Sequence, residues 1–166
     1  MRTRRFFFSG LALIGAASLS ACGFSPMYGT GSPGEDLSEI RIQTGSERVD
    51  FYLQEALHDA LGTRNARGPY TLITETRRSR LGLGVSTNEE ARRYAVRVSV
   101  TYRLMRDGVS RPAFTGIAEG EAGFNASSEL YSIEIAERDA ETRAVEAAAE
   151  QMTLQLYRFA RSSETW

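Results

Sequence analysis

The side chains able to do chemistry are few, and most of them are arginines. His58 is the only histidine and Cys22 the only cysteine. A zinc site draws on several Cys and His ligands, so no metal centre is expected. Nucleophilic catalysis by a serine would need His58 in a pocket and a serine in a strained elbow motif, and no such motif occurs. His58 lies off the apolar face of its helix and reads as a solvated surface residue. Glu119 and Glu121 share one strand face, which is how a wet face usually looks. Gly82-Leu83-Gly84 lacks the Lys and Ser/Thr of a phosphate loop. Neither an enzyme nor a cofactor is expected.

Every one of the 20 basic residues is arginine, a side chain that grips phosphate through two parallel N–H bonds. Arg77, Arg78 and Arg80 cluster at the end of one predicted strand, and Arg92 and Arg93 at the start of the next. An up-down hairpin brings the two clusters together near the Leu81 to Ala91 loop, with five guanidinium groups at one end of the domain. Two readings are open. The groups form a site for the phosphorylated head of a glycolipid, or a solvated basic face paired with Glu75, Glu89 and Glu90. The wider charge pattern leaves a similar choice. Arg41 to Arg111 carries 13 arginines and 8 acids, while Pro112 to Trp166 carries 4 arginines and 10 acids. That asymmetry means either an anionic partner for the middle or a meeting of the two parts in the fold. Nucleic acid is not the expected anion, because the chain is acidic once its leader is gone.

The leader is the clearest feature of the sequence. Arg2, Arg4 and Arg5 precede an apolar or small stretch from Phe6 to Ala17, and Leu19-Ser20-Ala21-Cys22 follows. A basic start, an apolar stretch and small residues before a cut make a secretory signal. The stretch is shorter than the roughly 20 apolar residues of a spanning helix. The Leu-Ser-Ala-Cys box resembles the bacterial lipoprotein signal. That resemblance implies cleavage between Ala21 and Cys22 and acylation of Cys22, with several acyl chains giving a stable anchor. Gly23 after the cysteine points, by the enteric sorting habit, to the outer membrane. Residues 1–21 are therefore read as signal peptide, 22–36 as a lipidated Gly-, Pro- and Ser-rich tether, and 37–166 as one domain.

The elements that must position the arginines follow from periodicity. Leu37 to Gln43 reads as a short strand. Ser46 can cap a helix whose Val49, Leu53, Ala56, Leu57 and Ala60 recur at three- and four-residue spacing, with Gly62 as its stop. Tyr70 to Arg80 is a second strand. In Tyr94 to Leu104 the residues Tyr94, Val96, Val98, Val100, Tyr102 and Leu104 share one face, so one side is packed and the other wet. Asp107-Gly108 supplies a turn. Ala113 to Asn125 returns as a fourth strand with a face of small residues. A long helix runs from Ile133 to Ala160, its alanines expected to touch that face. The order β-α-β-β-β-α predicts an α+β two-layer sandwich, with a roughly four-stranded, mainly antiparallel sheet and two helices on one face.

At Cys22-Gly23-Phe24-Ser25-Pro26-Met27-Tyr28-Gly29 the chain resembles the opening of α-proteobacterial members of the lipopolysaccharide-assembly lipoprotein family LptE, also called RlpB, with Met27 where Leu is usual. Tyr131-Ser132, Ala136, Arg138-Asp139-Ala140 and Arg143-Ala144 are similar to the last helix of that family. The resemblance implies a non-catalytic lipoprotein on the periplasmic side of the outer membrane. It implies a place inside the lumen of the β-barrel LptD, and a part with that barrel in carrying lipopolysaccharide to the surface. It also implies direct lipopolysaccharide binding by basic residues near strand ends, which is carried to Arg77, Arg78, Arg80, Arg92 and Arg93 by residue type and region. The competing expectation is an auxiliary lipoprotein of an ABC-type lipid transport system.

Overall fold

The protein is represented by a computed structural model that describes residues 37–83, 92–126 and 129–162, with the side chains of Arg92 and Ala126 outside the description. The leader, Cys22, the tether and residues 84–91 of the hairpin loop lie outside the described residues. The elements run β1 (Arg41–Gln43), α1 (Arg48–Leu61), β2 (Tyr70–Gly82), β3 (Arg92–Arg106), β4 (Phe114–Ala126) and α2 (Leu130–Ser162). This is the expected α+β order. The strands lie side by side as β1-β2-β3-β4. β1 pairs with β2 in parallel, and the other two pairings are antiparallel.

The cap of α1 differs from the sequence expectation. Glu47, not Ser46, is the N-cap: its side chain accepts from the Asp50 amide, and Asp50 Oδ2 accepts from the Glu47 amide at 3.0 Å. Two acids at one helix start also favour its positive end. Gly45 leaves room for this pair, because a Cβ there would meet the Asp50 carboxyl carbon at 2.8 Å. Gly62 ends the helix as expected, at φ 70° with its amide on the His58 carbonyl. His58 itself is half-buried rather than solvated, with Nδ1 2.9 Å from Thr63 Oγ1.

Period two in β3 is real. Val96, Val98, Val100, Tyr102 and Leu104 are fully buried under the helices, while Arg97, Thr101 and Arg103 are exposed on the open face. The small face of β4 does meet α2. A side chain on Gly120 would strike the Ala144 carbonyl and come within 2.7 Å of the Ala148 amide nitrogen. Ala118 and Ala144 are both fully buried in the one core. At the Tyr70 end the core is aromatic. Phe114 stacks on Phe159 with ring centroids 4.8 Å apart, and Tyr102 donates a 2.7 Å hydrogen bond to Gln155 Oε1. Gly116 makes space for that hydroxyl, since a Cβ there would collide with the Tyr102 ring.

β4 is an edge strand, and an open edge invites pairing with another chain. α2 takes part of it. Gln151 Oε1 accepts from the Glu119 amide at 2.7 Å, Gln155 Nε2 donates to the Ile117 carbonyl at 3.0 Å, and Arg143 Nη2 donates to the Gly123 carbonyl at 3.2 Å.

Candidate functional site

The β2–β3 register sets where the arginines can go. Arg78 sits opposite Val98, Arg80 opposite Val96, and Gly82 opposite Tyr94, so the two predicted clusters do share one end of the sheet. They do not share one face. Side chains alternate across a strand, which puts Arg78 and Arg80 with the helices and Arg77 and Arg93 on the open face. Arg93 pairs across from Leu83, whose amide it accepts at 2.8 Å. That is six residues beyond Arg77 on β2, or about 20 Å along the strand. The expected cluster of five guanidinium groups is therefore split, and the Arg92 side chain lies outside the described residues.

Under α2 the arginines alternate with two glutamates that the sequence reading passed over. Glu141 is 1% exposed and takes Arg48 through Nε and Nη2, both at 3.1 Å. It also takes Arg78 Nε at 2.6 Å. Arg78 reaches on to Glu137, and Arg80 Nη1 lies 2.9 Å from the other Glu137 oxygen. The Arg80 guanidinium then rests 4.2 Å from the centre of the Tyr94 ring and 5.4 Å from that of Phe124. Those two rings stack at 5.6 Å. The result is a ladder, Arg48–Glu141–Arg78–Glu137–Arg80, ending on an aromatic pair. Its inner carboxylate holds the Arg48 guanidinium above its ordinary pKa, first by hydrogen bonding and then by charge.

Glu137 and Glu141 are four residues apart on one helix, which puts both on one face. Arg78 and Arg80 are two apart on one strand, which does the same. The basic middle and the acidic tail of the chain thus meet in the fold. Of the open-face arginines, Arg77 is paired with Glu75 at 3.2 Å, and Arg97 with Glu121 at 2.7 Å across β3 and β4.

The outer part of this end is both charged and apolar. Arg78, Arg80 and Glu137 remain in part exposed to water. Leu130, Tyr131 and Ile135, on the turns of α2 before Glu137, are exposed, as is Leu83 on the hairpin. Guanidinium groups and apolar side chains thus lie side by side at this end. Arg78 and Arg80 already converge on one carboxylate, which is the geometry a phosphate oxygen would use. Among the described residues no group of His, Cys, Asp and Glu could hold a metal ion. No described helix is long and apolar enough to cross a membrane.

Residues 37–156 match the model of the family LptE, described as lipopolysaccharide-assembly. The fold is similar to that of a candidate lipoprotein of Caulobacter crescentus CB15, at 21% identity and TM-score 0.68, over 81% of this chain and 98% of that one. It is also similar to a minor lipoprotein of Acinetobacter baumannii, at 14% identity and TM-score 0.56, over 74% and 92% of the two chains. Rare lipoprotein B of Shewanella oneidensis has 12% identity and TM-score 0.53, over 74% and 96%. At these identities the likeness is one of fold. No curated protein sequence matches.

Proposed function

The chain belongs to the lipopolysaccharide-assembly family LptE, and from that premise we propose a non-catalytic lipoprotein, anchored through acylated Cys22 on the periplasmic side of the outer membrane, that partners the LptD β-barrel in carrying lipopolysaccharide to the cell surface. The family match over nearly the whole described domain carries this reading. The lumen of a membrane barrel is polar, and the open sheet face, with Arg77, Arg93, Arg97 and Arg103, suits such surroundings.

In this reading lipopolysaccharide engages the end of the sheet where Arg78 and Arg80 lie. A phosphate on its head displaces the Glu137 carboxylate and takes both guanidinium groups, while Glu141 keeps its hold on Arg78 from behind. The displaced Glu137 carboxylate, still tethered to α2, swings out to solvent, where water screens it from the phosphate. Leu130, Tyr131 and Ile135 offer apolar surface beside the bound head. Arg77 and Arg93 face the other way and act, if at all, on a different surface.

Affinity capture of the tagged full chain tests the partnership. A barrel of several hundred residues is the expected companion; a permease complex in its place would favour an auxiliary role in an ABC-type lipid transport system. Metabolic labelling with an alkyne fatty acid, abolished by Cys22→Ser, is the expected result for the anchor.

A further inference from the structure

A second surface has a different chemistry. Between α1 and α2, open to solvent, lies a groove of about 640 Å³. Its floor is small and apolar: Ala56, Ala60, Val145 and Ala149. Its two rims are acidic. Glu55 and Asp59 stand on the α1 side, Glu146 and Glu150 on the α2 side. Each pair is spaced four residues apart, where like charges on a helix repel. Arg64 relieves the first pair, lying 3.3 Å from Glu55 and 2.6 Å from Asp59. Among the described residues no cation pairs with Glu146 or Glu150.

A small-residue floor lets a backbone come close, and the unrelieved rim selects a positive one. We propose that this groove docks a cationic amphipathic helix of a partner protein, with its apolar face on the alanines and its Lys or Arg side chains on Glu146 and Glu150. Helix-in-groove recognition uses a cavity of this kind. Charge excludes the unplaced segments that follow the leader: residues 22–36, 84–91, 127–128 and 163–166 contain no Lys or Arg. A second copy would have to present α2, whose exposed Arg138 and Arg143 are already paired with Glu134 and Asp139 of the same helix. Neither Arg78 nor Arg80 nor their partners Glu137 and Glu141 line the groove, so docking there is separable from anion binding at the arginines.

The test uses the full mature chain bearing Cys22→Ser, so that no micelle competes. The probe is a fluorescent helix-forming peptide of about 15 residues, with lysines on one face and alanine and leucine on the other. Binding is expected to shift the amide resonances of Ala56, Ala60, Val145 and Ala149 and to weaken as salt rises. Glu146→Gln with Glu150→Gln should weaken it at least about fivefold, while Glu119→Gln on the open sheet face should not. Ala60→Leu, which fills the groove and keeps the acids, should also weaken it. Amide spectra check that each variant is folded. Binding that survives the paired Gln substitutions, shifts confined to β3 and β4, or equal binding of an acidic peptide of the same pattern would each overturn the proposal. Concentration-dependent dimerisation that shifts the groove resonances would overturn it in favour of a second copy.

Discussion

The two ends of the sheet are closed by different physics. At the Tyr70 end, hydrocarbon and aromatic rings seal it: Tyr102, Phe114 and Phe159 pack together, and the buried Tyr102 hydroxyl has its partner in Gln155. At the Gly82 end, β2 and α2 are joined by the ladder of Arg48, Glu141, Arg78, Glu137 and Arg80. Burial of apolar surface has no competitor in solution. An ion pair does, because any anion of suitable shape can replace a carboxylate. Packing closes the first end; under the proposed function the second can trade its outer carboxylate for another anion. The inner rung, Glu141, is buried, while the outer rung, Glu137, is partly exposed.

The largest expected effect is on that inner rung. Replacing both Arg48 and Arg78 by Met strands the Glu141 carboxylate without a cation. Removing the partner of a buried charge costs about 3–5 kcal/mol, readable as a lower urea midpoint. A loss under about 1 kcal/mol would mean that the rung is no more than a surface pair. Next comes Gly120→Ala, where the ionic end gives way to tight helix–sheet packing. The added methyl meets backbone rather than a mobile side chain, so a cost at the upper part of the usual overpacking range, about 3 kcal/mol, is expected from thermal or urea melts.

A smaller effect, confined to high pH, distinguishes the aromatic end. Burial pushes Tyr102 from 10.0 up to about 12. The unfolded chain loses this proton first, so the stabilisation is complete below pH 10 and is lost as pH rises from 10 toward 12. Stability measured across that window should fall less steeply in Tyr102→Phe than in the parent chain. Equal slopes would mean that the hydroxyl is solvated when folded.

Much of the fold could be read in the residues because it rests on local periodicity. Tyr94 to Leu104 alternates without a break, and Gly116, Ala118, Gly120 and Ala122 sit where an alanine-rich helix needs small neighbours. The site was less legible. The arginine clusters are plain in the sequence, but the alternation that marks β3 also puts Arg77 on the opposite face from Arg78 and Arg80. Glu137 and Glu141 were invisible as partners because they lie some 60 residues from Arg78 and Arg80. Which helix face meets which strand depends on packing, not on any local pattern. The cap of α1 was missed by one position for a related reason. Ser46 and Glu47 both have an acceptor side chain, and only the placement of Asp50 against Glu47 decides between them.

Lipopolysaccharide binding by full-length Glu137→Gln, set beside Arg78→Gln with Arg80→Gln, tests the central claim most directly. If phosphate takes the place of the Glu137 carboxylate, removing that charge opens the outer N–H groups of Arg78 and Arg80 and tightens binding severalfold, while the paired arginine substitutions weaken it about tenfold or more. Binding left unchanged by all three substitutions, in protein that remains folded, would contradict the account and leave the ladder as a structural clasp.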